Sequence, residues 1–313
     1  MRRDEPHATR VERLDTPDGD FLDIHHLDAA PGAPLLVLLH GLEGGVRSHY
    51  IQGLLGEASR RGWRAAVLIF RSCGEELNRA RRFYHSGETS DLGFALDHLT
   101  SRHPDSPLLL AGVSLGGNVL LKFLGEQGTA ASQRIRAAAA VSVPYDLSRA
   151  ASHIDRGFSK VYQRSFIRSL QSKAIAKLEL FPDLVPQDRI RSIRTMNDFD
   201  DILTAPLHGF KNAEDYYARS SAIGWLNGIS INTLLLSSVD DPFLPSQVLD
   251  DVRKVARHNS CLHIEFTPHG GHVGFVEGRN PFRPGYYLEK RVGDFLAEYL
   301  KTSSSDTDQR RAS

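Results

Sequence analysis

Cysteine is scarce in this chain of 313 residues, which contains only Cys73 and Cys261. Two thiols are too few for a secreted disulfide scaffold or for a zinc site built from cysteines. An excess of one charge is missing as well, because 38 Lys and Arg balance 38 Asp and Glu. A chain with zero net charge has no overall field that would attract nucleic acid or an anionic membrane, so either partner would need a local patch.

Long hydrophobic runs are also absent. The longest apolar pieces are short, such as residues 34–39, whereas a membrane-spanning helix needs ~20 apolar residues in succession. Residues 1–20 are rich in Arg, Asp, Glu, Pro and Thr and contain no apolar core of the kind found in signal peptides. We therefore expect a cytoplasmic protein with no integral membrane segment.

The sequence patterns typical of common cofactors are missing too. There is no His-Glu-x-x-His spacing for zinc, and there is no glycine pattern of a dinucleotide-binding fold or a P-loop. We expect neither a metal nor an organic cofactor, and no nucleic-acid partner. Two small basic clusters, around Arg79 and Arg191, would suit a phosphate head group or an acidic partner, but solvated helix faces are the simpler interpretation.

What the chain does contain is a regular alternation of short apolar runs with segments of helical periodicity. The apolar runs are typical of strands buried on both faces and cover 35–39, 65–70, 108–111, 137–143 and 231–236. Helix-spaced apolar residues occur at 92–99, 115–123, 248–256 and 288–299. This alternation predicts an α/β fold with a mostly parallel, twisted sheet and helices on both faces. Near the amino terminus, 11–15 and 21–27 are predicted to pair antiparallel around Asp18-Gly19.

The alternation stops over residues 146–228, which contain helical patterns and no convincing strand. We interpret 146–228 as a helical cap inserted over the carboxyl edge of the sheet, and 11–145 with 229–301 as the core. The insertion has apolar residues at helical spacing, which would either line an acyl pocket or pack the cap on the core: Phe158, Val161, Tyr162, Phe166 and Leu170. The polar segment 302–313 is predicted to be disordered.

The strongest chemical motif is Gly112-Val-Ser114-Leu-Gly116, which lies between a predicted strand and a predicted helix. This is the setting of a nucleophile elbow, where small flanking residues permit a sharp turn that exposes the serine hydroxyl. The alternative is a glycine-rich turn in which Ser114 merely caps the helix. The context favours Ser114 as a nucleophile.

A second motif, His40-Gly-Leu42-Glu-Gly-Gly45, follows the strand predicted at 35–39. A turn at this place supplies one oxyanion donor in folds of this type, and the residue after the nucleophile supplies the other. The predicted donors are the backbone N–H groups of Leu42 and Leu115. We interpret His40 as structural because it precedes the serine, whereas the triad order in this fold is Ser, acid, His.

That order restricts the acid and the histidine to the carboxyl-terminal part. Asp240 and Asp241 both follow the strand predicted at 231–236, and we favour Asp241 because a proline fixes the turn after it. Asp146 is a third candidate, more simply a hinge into the cap. His269 and His272 both precede the last helix, and His272 is preferred because adjacent glycines allow the loop to bring its imidazole over the serine.

Several longer motifs make the chain resemble the YheT-like branch of the α/β-hydrolases. The segments that carry the resemblance are 40–45, 70–75, 84–89, 112–118, 240–243 and 270–275, together with Asn78, 195–201 and 209–217 of the insertion. One departure is Arg71-Ser-Cys-Gly74, where the family usually has Arg-Gly-Cys-Ser-Gly. The resemblance implies a Ser114, Asp241 and His272 triad, no cofactor, and activity on small-molecule carboxylic esters or lipid-like substrates. Another acyl bond (a phospholipid, thioester or peptide) and a non-catalytic binding protein of the same fold are the alternatives.

Overall fold

The computed structural model describes residues 6–278 and 285–309 and contains an eight-stranded sheet in the order β1-β2-β4-β3-β5-β6-β7-β8. Its strands are β1 Arg10–Asp15, β2 Phe21–Leu27, β3 Leu35–Leu39, β4 Arg64–Ile69, β5 Leu108–Val113, β6 Ile135–Val141, β7 Thr233–Ser238 and β8 Leu262–Thr267. Strand β2 is antiparallel to both neighbours, and from β4 to β8 all neighbours are parallel. The predicted α/β fold and the amino-terminal antiparallel pair are confirmed. A short ribbon, β9 Val276–Glu277 with β10 Gly285–Tyr286, forms a second sheet.

Helices cover both faces of the large sheet, as its buried central strands require. The core helices are α1 His49–Arg60, α2 Ser90–Arg102, α3 Leu115–Gln127, α10 Gln247–Ala256 and α11 Tyr287–Gln309. Alternate residues of β3 face opposite layers: Leu35, Val37 and Leu39 pack with α2, α3 and α10, whereas Leu36 and Leu38 pack with α1 and α11. No helix within 6–278 and 285–309 is long and apolar enough to cross a membrane.

The insertion between β6 and β7 lies wholly within the described residues and contains helices and turns but no strand. Its helices are α4 Leu147–Ile154, α5 Lys160–Lys177, α6 Gln187–Ser192, α7 Met196–Phe199, α8 Ala205–Leu207 and α9 Ala213–Ser220, with a π-helical turn at Asp200–Thr204. Apolar side chains of α5, α6 and the π-helical turn form a separate small core that includes Ile167, Ile190 and Leu203. The insertion therefore carries its own packing as well as contacts to the sheet.

One detail differs from the sequence expectations. Val161 is 56% exposed, because the buried face of α5 is set by Ile167, Leu170 and Ala174, and Val161 lies off that face. The backbone of α11 continues to Gln309, and disorder of 302–313 stays a prediction from polar composition. Residues 310–313 lie outside the described part of the chain.

Candidate active site

Ser114 occupies a sharp turn between β5 and α3. Its backbone has φ +55° and ψ −120°, a conformation that non-glycine residues rarely adopt. The Ser114 N–H donates to the carbonyl of Val141 at 2.8 Å, so the neighbouring strand β6 holds the turn in place. Since α3 begins at the next residue, the hydroxyl lies at the amino end of a helix, where exposed N–H groups favour negative charge.

The two glycines of the motif are required by close backbone packing. A Cβ on Gly112 would lie 2.4 Å from the carbonyl oxygen of Gly116. A Cβ on Gly116 would lie 2.5 Å from the carbonyl oxygen of His40 and 2.6 Å from that of Leu39. Helix α3 therefore starts in direct contact with the end of β3, and this contact brings the loop after β3 beside Ser114.

His272 and Asp241 complete a continuous hydrogen-bonded chain to the serine. His272 Nε2 lies 2.9 Å from Ser114 Oγ, and His272 Nδ1 lies 2.8 Å from Asp241 Oδ2. Only 1% of the Asp241 side chain and 13% of the His272 side chain are exposed. The other carboxylate oxygen of Asp241 accepts the Phe243 N–H at 2.8 Å, which orients the acid. The structure thus brings together the three residues that the sequence order selected.

The competing acids and histidine have other contacts. Asp240 Oδ1 accepts the N–H groups of Gly270 and Gly271, each at 2.9 Å, and so binds the loop that carries His272. Asp240 also pairs with His269 Nδ1 at 3.2 Å, but the side chain of His269 is 90% exposed. Asp146 caps α4 by accepting the Arg149 N–H at 3.0 Å. Asp240, His269 and Asp146 therefore each have contacts that do not involve Ser114.

The candidate oxyanion donors come from the loop after β3 (Leu42) and the start of α3 (Leu115), and both residues line the cavity that also contains Ser114. Leu115 begins α3, so its N–H has no acceptor within the helix. Residues on either side of Leu42 are held by tyrosines: the Gly41 N–H donates to Tyr50 Oη, and the Glu43 N–H donates to Tyr84 Oη, both at 2.9 Å. The loop geometry is therefore set by side chains from elsewhere in the core.

His40 is fully buried, and both of its ring nitrogens form hydrogen bonds with backbone groups. Its Nε2 accepts the Phe70 N–H at 3.2 Å, which leaves Nδ1 as the protonated nitrogen that donates to the Gly41 carbonyl at 2.8 Å. Burial lowers the pKa of His40 to about 4, so the imidazole is neutral at ordinary pH. The structural role expected for His40 agrees with these contacts.

A cavity of about 730 Å³ opens beside Ser114, between the loops at the carboxyl ends of the strands and the insertion. Volumes of this size are typical of small-molecule sites. The wall that the insertion supplies is largely apolar and includes Leu147, Ala151, Ile154, Tyr162, Phe166, Leu170, Met196 and Phe199. Three of the helix-spaced residues in α5 (Tyr162, Phe166 and Leu170) thus line the cavity, and Leu170 also packs in the small core of the insertion.

One carboxylic acid, Asp200, lies in the cavity wall supplied by the insertion. Its two carboxylate oxygens accept hydrogen bonds from Thr204 Oγ1 at 2.7 Å and Tyr217 Oη at 2.8 Å. Burial outweighs these two bonds and raises the pKa of Asp200 to about 6. Neither the residue type nor its spacing signals this site in the sequence, since it depends on helices that converge only in the fold.

The raised pKa of Asp200 predicts a specific pH dependence of stability. The folded protein holds this proton more tightly than the unfolded chain, whose ordinary pKa is 3.8. The protonated carboxyl therefore stabilises the fold fully below about pH 4, and this stability is lost as the pH rises through about 6. Asp200→Asn does not titrate, so we expect the melting temperature of the variant to rise relative to wild type between about pH 4 and 6 and then to level off. Thermal unfolding of both proteins across this range checks it, and a difference independent of pH would contradict it.

A cluster of His85, Glu88 and His208 has potential ligand atoms within 4.8 Å of one another. The Glu88 carboxylate is already bound by Arg82 at 2.7 Å and by the N–H of Ser90 at 2.9 Å. In addition, the Gly87 N–H donates to His85 Nδ1, which places the proton of a neutral imidazole on Nε2, the nitrogen that faces Glu88. Glu88 and His85 Nδ1 thus already have hydrogen-bond partners within the protein, so neither needs a metal ion to satisfy it.

Cys73 and the two basic clusters lie in surroundings that the structure defines. Burial raises the pKa of the Cys73 thiol to about 11, so it is a poor nucleophile at neutral pH. In the first basic cluster, Arg79 pairs with Asp15, Arg81 with Asp183 and Arg82 with Asp18. In the second, Arg194 donates to the backbone carbonyls of Arg191 and Ile193. The first cluster lies in the loop between β4 and α2, so it is not the helix face that the sequence predicts, whereas Arg191 does lie on a helix, α6. The contacts of both clusters favour solvated surface over a ligand site.

Comparison with known proteins agrees with this architecture. A model of the alpha/beta hydrolase fold matches residues 34–279. YheT of Escherichia coli strain K12 is 39% identical over 298 residues, which is 94% of this chain and 86% of that protein. Phospholipase ABHD3 of Bos taurus is 29% identical over 302 residues, which is 93% of this chain and 72% of that protein.

Among solved structures, the esterase Pf2001 of Pyrococcus furiosus has the same fold, with a TM-score of 0.63 at 16% identity over 93% of this chain and 92% of that one. At that identity the likeness concerns the fold alone. The family match and the identity to YheT are sufficient to assign the family. The chain belongs to the α/β-hydrolase family and is a YheT-like member of it.

Proposed function

We propose that this protein is a serine hydrolase that cleaves carboxylic esters through an acyl-enzyme. The observation that carries the proposal is the chain from Asp241 through His272 to Ser114, with contacts of 2.8 and 2.9 Å, in the wall of a largely apolar cavity. This is the geometry in which a histidine removes the proton of a serine while a buried carboxylate orients the ring.

Acylation begins when the Ser114 hydroxyl attacks the carbonyl carbon of the ester and its proton passes to His272 Nε2. The oxygen of the tetrahedral intermediate then carries a negative charge, which the N–H groups of Leu42 and Leu115 stabilise. The C–O bond to the alcohol breaks as His272 returns the proton to the leaving oxygen. Asp241 holds the imidazole tautomer and stabilises the imidazolium throughout.

Deacylation repeats the same steps with water as the nucleophile. His272 takes a proton from water, the hydroxide oxygen attacks the acyl carbon, and the same two N–H groups hold the second tetrahedral intermediate. Collapse releases the carboxylic acid and returns the proton to Ser114 Oγ. The cycle is balanced with water as the single co-reactant, and the chemistry requires no metal or organic cofactor.

The substrate class follows from the cavity. An apolar wall contributed by α4, α5 and α7 suits an acyl chain or another apolar part of a small ester or lipid-like molecule. The similar proteins point the same way, since YheT is provisionally named an esterase and ABHD3 a phospholipase. With zero net charge on the chain, apolar contact is the main attraction available for such a substrate.

A substrate panel tests the proposal. We expect p-nitrophenyl esters to be hydrolysed faster than matched acyl thioesters and short peptides. We also expect kcat/KM to rise from acetate to longer acyl chains by up to about four-fold per methylene, the factor that corresponds to transferring one methylene out of water. Steady-state rates on graded esters provide the measurement. Cleavage of thioesters or peptides without esters would assign another acyl bond, and turnover of none of them would refute the proposed activity.

A further inference from the structure

Glu43, in the loop that carries the candidate donor Leu42, makes contacts that the proposed mechanism does not use. Its side chain is only 8% exposed, and its backbone has a φ of +55°. The carboxylate accepts the Tyr84 hydroxyl at 2.9 Å and pairs with Lys173 Nζ at 2.8 Å, both through Oε1. Its other oxygen accepts the hydroxyl of Ser169. A buried carboxylate with this many partners is firmly held in place.

Two of these partners belong to the insertion and the third belongs to the core. Ser169 and Lys173 lie one turn apart on α5, so a single helix face presents both groups to the loop after β3. Tyr84 Oη donates to the Glu43 carboxylate and also accepts the Glu43 N–H at 2.9 Å, which closes a ring of hydrogen bonds around one residue. The backbone next to Leu42 is therefore tied, through Glu43, to the position of α5.

The charge balance of Glu43 depends on the same helix. Among the described residues Lys173 is the cation paired with its carboxylate, and it also lies 3.7 Å from Sγ of Cys73, a partly buried residue whose thiol is neutral. Loss of the Lys173 amine with α5 still in place would leave the carboxylate shielded from water and without its counter-charge. A buried charge that loses its partner is costly, so the loop would be expected to rearrange.

We infer that Glu43 is a positioning residue that makes the geometry of the oxyanion site depend on docking of the cap helix α5, through Lys173 and Ser169. The inference rests on the proposed function, because it assigns Leu42 N–H as an oxyanion donor. It gives the insertion a role in the chemical step in addition to its contribution to the cavity wall.

The test is a double-mutant cycle on the full chain with Glu43→Gln, Lys173→Met and the combined variant, assayed on a p-nitrophenyl ester. We expect each single variant to lower kcat by at least about ten-fold, up to the ~10²–10³-fold loss that follows removal of an oxyanion donor. KM should change by less than about three-fold. The combined variant should be no slower than the slower single variant, because both break the same link. Lys173→Arg should recover much of the lost kcat.

A matched control is available at another contact between the insertion and the core. Arg81 pairs with Asp183 at 2.9 Å across the same interface, but this pair is exposed and does not touch the loop after β3. Arg81→Met should leave kcat within about two-fold of wild type. If Lys173→Met does not fold, as judged by thermal unfolding, Ser169→Ala breaks the link with a smaller change and should also lower kcat.

Each contrary outcome has a distinct meaning. Raised KM with unchanged kcat, or losses that multiply in the combined variant, would overturn the inference while leaving ester hydrolysis intact. An equal loss in Arg81→Met would show a general effect of cap docking and would also overturn it. Absence of ester hydrolysis and of fluorophosphonate labelling in the wild type would instead refute the proposed function, and the inference would fall with it.

Discussion

Ser114→Ala is expected to lower kcat on carboxylic esters by a factor on the order of 10⁶, the effect of removing the nucleophile from a serine hydrolase. The substitution deletes the oxygen that lies 2.9 Å from His272 Nε2 and leaves the Cβ and the backbone turn unchanged. It should therefore abolish covalent labelling by a fluorophosphonate probe with little change in melting temperature. Turnover and labelling of the two proteins provide the measurement.

Ser86 supplies a matched control for this experiment. It is buried in the wall of the same cavity, and its backbone N–H and carbonyl bind Tyr216 and Asn118. Since these are backbone bonds, Ser86→Ala should keep them and should label and turn over like the wild type. Labelling that persists in Ser114→Ala and disappears in Ser86→Ala would show that the nucleophile has been assigned to the wrong residue.

Asp241→Asn is expected to lower kcat by about 10⁴-fold, the size of effect seen when the triad acid loses its charge. The amide would keep the shape of the side chain, but it carries no charge to stabilise the imidazolium and no longer selects the correct tautomer. The pH profile and kcat of the variant should be measured with the same ester as for Ser114→Ala.

Asp240→Asn tests the choice between adjacent acids. Asp240 accepts two backbone N–H groups from the loop that carries His272, through one oxygen that an asparagine retains. Its effect on kcat should therefore be smaller by at least about a hundred-fold than that of Asp241→Asn. The reverse order would show that Asp240 is the acid and that the 2.8 Å contact of Asp241 with His272 is structural.

Much of the fold was accessible from the sequence because its signals are local. The strands at 35–39 and 108–113 are uniformly apolar since both of their faces are covered. Gly112 is required by its close packing on the start of α3, and Gly116 by its close packing on the end of β3. The order of serine, acid and histidine then limited the candidates to a few residues. Asp241 and His272 were preferred over Asp240 and His269 on turn chemistry alone, and the observed contacts are those expected from that preference.

The packing of the insertion was harder to predict from the sequence, and the exposed position of Val161 shows the reason. A helical period identifies a helix, but its exposed and buried faces depend on which neighbours it meets. Helix α5 contacts the small core of the insertion, the cavity and the polar loops of the main core at once, so three of its faces are occupied and no single apolar stripe describes it.

Local sequence was sufficient for the fold class, the turn at Ser114 and the short list of partners, because apolar periodicity, glycine packing and chain order are encoded within a few neighbouring residues. The contacts of Glu43 with Ser169 and Lys173, each more than a hundred positions away, were decided only when distant segments converged. The burial of Asp200 against Tyr217, 17 positions away, required two separate helical segments of the insertion to pack together. Hydrogen-bond geometry, loss of hydration and pairing of charge all depend on such packing, so the link between cap and oxyanion loop exists at the level of tertiary structure.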